Sequence, residues 1–279
     1  MLPNFIICGA QKGGTTSLYH YLRQHPEIFM PEEKEVDFFA NNIEKGVAWY
    51  EAFFEGAEGY GAVGEASPNY MWREETVDGM SKMVPDARLI FILRNPIRRA
   101  YSNYWFNVSR GLQRVQMPFS QAIREEPGYR NYVTKGFYYE QIARFLKHYP
   151  REKILVVLLE DLLKNPEETM KNCYQFLGVN TAFIPSLGEK HNVTVLPKNR
   201  LVFMAFNLWV PIRRALSKIT PPQVRRVIGM PRTWIRARLF SQAKPPSMAE
   251  TDRVWLAEAF AEHNRQLSQF LNRDLSFWN

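Results

Sequence analysis

The sequence predicts an α/β fold in which a central parallel sheet is flanked by helices. Apolar runs typical of buried strands alternate along the chain with segments of helical periodicity, which is the order a parallel sheet requires. The first apolar run leads directly into a loop of small residues and then a helix start. A chain of 279 residues can bury a large core, so residues 1–279 are predicted to form a single domain.

Individual elements follow from apolar runs, periodicity and the residues that bound them. Strands are predicted at 4–9, 61–65, 88–93 and 153–159. Helices are predicted at 15–24, 46–54, 74–83, 96–110, 137–148, 166–177 and 251–271. Strand 4–9 contains the run Phe-Ile-Ile-Cys, and helix 96–110 opens with a proline, which suits a first helical position. The pattern contains no internal repeat or low-complexity segment.

Residues 9–17 read Gly-Ala-Gln-Lys-Gly-Gly-Thr-Thr-Ser. Small residues let an anion approach backbone N–H groups, and the positive end of the following helix dipole points into the loop. This predicts a P-loop-like phosphate site made by Lys12, Gly13, Gly14, Thr15, Thr16 and Ser17. In nucleoside triphosphatases a Ser or Thr directly after the lysine binds magnesium. Here a glycine follows the lysine, so the pattern favours a phosphate held without a metal.

A second candidate phosphate contact follows the run 88–93, which ends at Arg94. Arg94 is therefore expected at the carboxyl end of a strand, where ligands bind in open parallel sheets. Ser102 lies about two turns into the next predicted helix. The planar donor fork of Arg94 and the hydroxyl of Ser102 can share one phosphate. The alternative for Arg94 alone is an ordinary surface ion pair.

Together the two motifs resemble those of the sulfotransferases that use 3′-phosphoadenosine-5′-phosphosulfate (PAPS). Residues 12–17 are similar to the family's 5′-phosphosulfate loop, and residues 94–104 are similar to its 3′-phosphate motif. Further segments resemble heparan-type members of the family: 35–39, 46–50, 64–70, 135–138, 160–162 and 273–278. The matches keep their order from residue 5 to residue 278, so the resemblance covers essentially the whole chain.

The resemblance implies PAPS as donor, adenosine 3′,5′-bisphosphate (PAP) as product, and no metal. Lys12 is then expected against the bridging oxygen, where it stabilises charge that develops on the departing phosphate. Backbone N–H groups and hydroxyls of residues 13–17 hold the 5′-phosphate in this interpretation. Arg94 and Ser102 hold the 3′-phosphate.

Glu35 is expected to be the general base, because a neutral alcohol must lose a proton in the transition state. The segment 31–35 offers three carboxylates, and the resemblance of residues 35–39 selects Glu35 among them. Asp37 and Glu65 are expected to contact the acceptor; the alternatives are a second base role for Asp37 and a structural role for Glu65.

The acceptor is expected to be a hydroxyl, first of a carbohydrate, with a lipid or hydroxyacyl acceptor as the second candidate. Ala66 stands where heparan-type enzymes commonly carry a lysine, which weakens the case for a glycosaminoglycan; Lys34 or the basic region described next is an alternative source of that charge. Two other classes of function compete. A P-loop nucleotide kinase would need a magnesium ligand after the lysine, and a PAP-binding module without catalysis would dispense with Glu35.

The net charge of +8 is concentrated near the C-terminus, because residues 190–249 contain twelve basic residues and no acidic one. The stretch is expected to form a basic helical cap within the domain. It attracts the donor or acceptor in the favoured interpretation; peripheral contact with a membrane and a solvated helical subdomain are alternatives. Lys198 and Arg200 fall where the family closes a loop over the donor and are assigned to it. Nucleic acid fits poorly, since no recognised binding motif is present.

Cys8 and Cys173 are expected to be reduced core residues, because one lies in a predicted strand and the other in an apolar helical pattern. Residues 1–4 lead straight into the first strand and contain no signal-peptide pattern. The longest apolar run, 201–212, is shorter than the ~20 residues of a membrane span. We therefore expect a cytoplasmic protein, soluble or peripheral, or else a catalytic portion of a larger one.

Overall fold

The computed structural model describes residues 1–109, 117–187 and 245–278, together with the backbone of 196–197 and 240–241. Its strands are β1 Phe5–Gly9, β2 Ile28–Phe29, β3 Ala62–Ala66, β4 Arg88–Leu93 and β5 Ile154–Leu158, with the short β6 Leu196–Pro197 and β7 Phe240–Ser241. Strands β1 to β5 form one parallel sheet of order β2-β3-β1-β4-β5, and β6 pairs with β7 in an antiparallel arrangement. The four predicted strands and the predicted parallel sheet are confirmed.

The described helices flank this sheet. They are α1 Thr15–Leu22, α2 Val47–Glu51, α3 Glu75–Met83, α4 Pro96–Ser109, α5 Phe119–Ala122, α6 Gly128–Tyr132, α7 Tyr138–Phe145, α8 Leu159–Lys164, α9 Pro166–Leu177 and α10 Glu250–Leu271. Every predicted helix begins within one residue of its predicted start. The predicted helix 46–54 consists of α2 followed by a 3₁₀ turn, Ala52–Phe54. The short helices α5, α6 and α8 carry too few turns to show a clear apolar period.

Both faces of the sheet are buried, which explains why its strands are continuously apolar. Along β1, Ile6 and Cys8 point into one apolar cluster while Phe5 and Ile7 point into the other. Helices α1 and α9 cover the second face, and α3 and α7 cover the first. The sheet is therefore held rigidly between two helical layers.

A third apolar cluster lies beside the sheet, where α10 packs against α4 through Leu256 and Phe260. The predicted helix 251–271 is confirmed by α10, which gives the chain a helical C-terminal region. Residues 190–244 of the basic stretch, including Lys198 and Arg200, lie outside the residues whose side chains the structure describes. Within the described ranges, no helix is both long enough and apolar enough to cross a membrane.

Candidate active site

Three neighbouring strands of the sheet end beside the predicted motifs. The phosphate loop follows β1, Arg94 follows β4, and the segment 66–72 follows β3. Because β1 lies between β3 and β4 in a parallel sheet, all three strand ends lie on one edge. Motifs that are far apart in sequence therefore meet at the edge where a ligand is expected.

The phosphate loop is closed by two backbone hydrogen bonds. The Ala10 N–H donates to the Ile92 carbonyl at 2.8 Å, and the Gly13 N–H donates to the Ala10 carbonyl at 2.8 Å. A Cβ on Gly13 would lie 2.4 Å from the Ile92 carbonyl oxygen, so only glycine fits this close approach to β4. The Gly13 N–H thus has an acceptor inside the loop, and its expected role as a phosphate donor remains a prediction.

Gly14 caps α1 in the left-handed region, with φ of 111°, and Thr15, Thr16 and Ser17 form the first turn behind it. The first-turn N–H groups of a helix have no partner within the helix. The expected grouping of Gly14 and the three hydroxyl residues at a helix N-terminus is therefore present.

Lys12 also has a left-handed backbone, with φ of 66°, which is uncommon for a residue with a side chain. Its ammonium lies 4.3 Å from the centre of the Phe106 ring on α4. Phe106 is four residues after Ser102, so the two lie on one face of the helix. The structure thus brings the loop lysine and the helix expected to bind the 3′-phosphate to the same crevice.

Arg94 is half-buried, and its carbonyl accepts a hydrogen bond from the Tyr138 hydroxyl at 2.8 Å. Its guanidinium forms no ion pair with any described residue. Burial lowers the pKa of Arg94, and Tyr138 and Glu160 partly oppose that shift. A half-buried arginine without a carboxylate partner fits the predicted contact with a phosphate.

Arg99 is a candidate that the sequence analysis missed. It is fully buried, and its Nη2 donates to the Tyr132 carbonyl at 2.7 Å, while Nε and Nη1 have no hydrogen-bond partner. Burial lowers its pKa, and neighbouring Arg94 contributes in the same direction. The available signal was an arginine on the apolar face of α4, which is rare unless the charge is compensated.

The loop that carries Glu35 is tied to the end of β3. The Glu35 N–H donates to the Ala66 carbonyl at 3.2 Å, and the Asp37 N–H donates to Ser67 Oγ at 2.9 Å. Both Glu35 and Asp37 have positive φ, 65° and 51°. The Glu35 carboxylate is half exposed and lies 2.7 Å from Lys34 Nζ. Its expected role as a base remains a proposal. The hydrogen bond to Ala66 places Glu35 at the carboxyl end of β3, on the same edge of the sheet as the phosphate loop.

Asp37 has one carboxylate oxygen held and one without a partner. Oδ2 accepts hydrogen bonds from Asn69 at 2.8 Å and Asn41 at 3.3 Å, while Oδ1 is buried and unpaired. Burial raises the pKa of Asp37; the Asn69 hydrogen bond opposes this shift and nearby Glu35 adds to it. An unpaired carboxylate oxygen fits the predicted acceptor contact.

Glu65 is only 1% exposed and is enclosed by three hydroxyl donors. Tyr50, Ser67 and Tyr70 donate to its carboxylate at 2.8, 2.6 and 2.7 Å. Burial raises the pKa of Glu65, and the three hydroxyls oppose that shift. Since Ser67 in turn accepts the Asp37 N–H, this geometry favours a positioning role for Glu65 over the acceptor contact expected from the sequence.

The segments 160–162 and 273–278 meet in space. Arg273 forms a bidentate ion pair with Asp161, in which Arg273 Nη2 lies 2.6 Å from Asp161 Oδ1. The Trp278 carbonyl accepts a hydrogen bond from Asn95 Nδ2 at 2.8 Å. Asn95 Oδ1 also caps the first N–H groups of α4, so these contacts fix the start of the helix that follows Arg94.

Comparison with known proteins gives a consistent result. Residues 2–193 match the family described as the sulfotransferase domain. Bifunctional heparan sulfate N-deacetylase/N-sulfotransferase 4 of Mus musculus is 28% identical over 291 residues, covering 98% of this chain and 30% of that protein. Heparan sulfate glucosamine 3-O-sulfotransferase 3B1 of Homo sapiens is 29% identical over 185 residues, covering 64% of this chain and 46% of that protein. This chain thus spans less than half the length of these two relatives.

A solved sulfotransferase from Alicyclobacillus acidocaldarius has the same fold, with a TM-score of 0.73 and 27% identity, and the match covers 100% of this chain and 99% of that one. The parallel sheet, the two phosphate motifs at its edge and the match over residues 2–193 agree with one another. The chain belongs to the sulfotransferase domain family.

Proposed function

We propose that this chain transfers a sulfuryl group from PAPS to a carbohydrate acceptor by in-line displacement. The observation that carries the proposal is the contact between the phosphate loop and β4. The Ala10 N–H donates to the Ile92 carbonyl, and this places the candidate phosphate loop beside Arg94, which follows the same strand. The unpaired Arg94 and the partly unsatisfied Arg99 fit a doubly phosphorylated ligand, because buried cations need an anion nearby.

Sulfuryl transfer needs positioning and charge stabilisation more than covalent help, by analogy with phosphoryl transfer. Lys12 and the start of α1 stabilise the negative charge that develops on the 5′-phosphate as its bond to sulfur breaks. Arg94 and Ser102 hold the 3′-phosphate and so distinguish PAPS from ATP. No described residue provides a hydroxyl after a loop lysine to hold magnesium, and the proposed reaction uses no metal.

Glu35 accepts the proton of the acceptor as the new bond to sulfur forms. Asp37 contacts the acceptor through its unpaired oxygen, and Glu65 holds the loop that carries both groups. The two named relatives are described as acting on heparan sulfate, one at nitrogen and one at oxygen. This supports a sugar acceptor and leaves the acceptor atom to experiment. Lys198 and Arg200 complete the proposed donor site from outside the described residues.

The first test is calorimetric titration with PAP in the presence of EDTA, beside ATP with magnesium. We expect tight PAP binding without metal and little ATP binding. A preference for magnesium-ATP would refute the proposal in favour of a kinase. Transfer of ³⁵S from labelled PAPS to a desulfated heparan-type polysaccharide, compared with a hydroxyacyl thioester, then tests the acceptor class.

A further inference from the structure

Lys135 lies in a 3₁₀ turn, Thr134–Gly136, far from the predicted site in sequence but beside it in space. Its side chain is only 8% exposed. Nζ lies 3.2 Å from Gln11 Oε1, and Gln11 is the residue before Lys12 in the phosphate loop. Nζ also lies 4.0 Å from the centre of the Trp72 ring, on the segment after β3. The ammonium group therefore stands between two of the strand ends that form the site.

No described carboxylate pairs with Lys135. The charged groups that face it are cations: Arg99 from α4 and Arg73 from the segment after β3. Burial, followed by these two arginines, lowers the pKa of Lys135 to about 7. An amide oxygen and an aromatic face are weaker partners for an ammonium group than an anion is.

The recess beside Lys135 is lined by Ala10 and Gln11 of the phosphate loop and by Pro68 and Trp72. The recess is small, with a cavity volume of about 10 Å³, and it is partly open to solvent. Trp72 Nε1 is buried and has no hydrogen-bond partner. A buried donor without an acceptor thus lies beside an ammonium group whose hydrogen-bond acceptor is a neutral amide, and an anionic ligand would satisfy both groups.

Residue 66, at the end of β3, is an uncharged alanine. The resemblance to heparan-type enzymes leads one to expect a lysine there, but the residue is an alanine that is 1% exposed. Ala66 ends β3, next to the segment that packs against Lys135. Lys135 contacts this segment through Trp72, six residues after Ala66.

We propose that Lys135 is a second donor-binding cation, whose ammonium group contacts the 5′-phosphate end of the bound donor. The proposal rests on the proposed function, since it takes the donor to be a 3′,5′-substituted nucleotide. An anion favours the charged form of a lysine. Donor binding therefore draws a proton from solution onto Lys135 at neutral and mildly alkaline pH.

The first experiment compares two ligands that differ only in the 5′-phosphate: PAP and adenosine 3′-monophosphate. Lys135→Met keeps the length of the side chain and removes the charge. It is expected to weaken PAP binding by about 10- to 100-fold, the range for a hydrogen bond to a charged group. Binding of the 3′-monophosphate should be unchanged, which also shows that the variant is folded. Lys171→Met, an exposed lysine on α9, is the control for the loss of one charge.

The second experiment measures proton uptake, by titrating PAP at pH 8 in buffers with different ionisation enthalpies. At pH 8 the phosphate is already fully ionised, and about nine tenths of a lysine with a pKa of about 7 is neutral. The wild-type protein should take up close to one proton. Lys135→Met should take up none. Lys135→Arg should keep most of the affinity with no uptake, because arginine is always charged.

Three results would overturn the assignment of Lys135: equal PAP affinity in Lys135→Met and the wild type, equal loss for both nucleotides, or a change only in the KM of the acceptor. The last would indicate an acceptor contact. If the wild-type protein binds neither nucleotide, the proposed function itself fails. Wild-type binding with an unaffected Lys135→Met removes only this inference.

Discussion

Left-handed backbone is concentrated at the proposed site. Among the described residues other than glycine, four have positive φ: Lys12, Glu35, Asp37 and Asn272. Three of the four belong to the phosphate loop or to the proposed catalytic loop. Such backbone costs roughly 1–3 kcal/mol per residue and persists only where the surroundings impose it. Hydrogen bonds to Ala66 and Ser67 hold the backbone of Glu35 and Asp37, and the Ile92 carbonyl anchors the phosphate loop two residues before Lys12.

Glu35→Gln is expected to bind PAP normally and to lose nearly all transfer, because an amide cannot accept the acceptor proton. The expected loss is on the order of 10²- to 10⁴-fold in kcat. Single-turnover transfer from PAPS measures it. Glu33→Gln, an exposed neighbour in the same loop, is the matched control and should stay active. Wild-type turnover in Glu35→Gln would remove the base assignment.

Arg94→Ala is expected to weaken PAP more than adenosine 5′-phosphosulfate, because only PAP carries a 3′-phosphate. The loss for PAP should be about 10-fold or more, as for other charge-assisted hydrogen bonds. Calorimetry with both ligands gives the two ratios. Equal weakening of both would show that Arg94 does not recognise the 3′-phosphate.

At the scale of elements, the phosphate loop depends on its contact with β4. Gly13→Ala places a methyl group 2.4 Å from the Ile92 carbonyl, which must displace either the loop or the strand. We expect a loss of about 1–3 kcal/mol in the free energy of unfolding and a large loss of PAP affinity. Urea unfolding and PAP titration test this.

The control for Gly13→Ala is Gly79→Ala, since Gly79 lies within α3 and a Cβ there meets only ordinary contacts, at 3.4 Å. That change should stabilise the protein by about 0.5–1 kcal/mol and leave PAP binding unchanged. Equal stability of Gly13→Ala and the wild type would contradict the steric role of Gly13.

The strands that form the sheet were predictable because burial on both faces makes them continuously apolar, as in β1 and β4. The starts of α4 and α1 were predictable from local sequence, because Pro96 suits a first helical position and Gly14 directly precedes α1. The enclosure of Glu65 was not predictable, because its partners come from α2 and from both sides of the turn after β3. Lys135 belongs to a segment that carries the resemblance, but its proposed role was not predictable, because Gln11 and Trp72 are far from it in sequence and only the fold brings them together.

At the scale of the whole molecule, the buried Lys135 makes stability depend on pH. Its pKa is about 7 in the folded protein and about 10.4 when unfolded, so the unfolded chain binds more protons between these values. The free energy of unfolding therefore rises with pH in this window. Below pH 7 the buried charge destabilises the fold by a constant amount, and this destabilisation is relieved as the folded lysine loses its proton at higher pH.

The wild type should gain stability relative to Lys135→Met as the pH rises from 7 to 9. The free energy of unfolding of the wild type minus that of the variant should increase by up to about 1.4 kcal/mol per pH unit. Urea unfolding at pH 7, 8 and 9 measures it, and subtracting the variant removes the other titrating groups. The free energy of unfolding of Lys171→Met should change with pH in the same way as that of the wild type. A difference between wild type and Lys135→Met that does not change with pH would show that the lysine is charged throughout.

The Ile92 carbonyl has a consequence for how nucleotides are told apart. It accepts the Ala10 N–H and limits position 13 to glycine, and Ile92 lies in β4, two residues before Arg94. The two proposed phosphate sites are therefore both attached to the end of β4, which sets the distance between them. We therefore expect adenosine 2′,5′-bisphosphate, a positional isomer with the same charge, to bind more weakly than PAP, because its phosphates do not match this distance and angle.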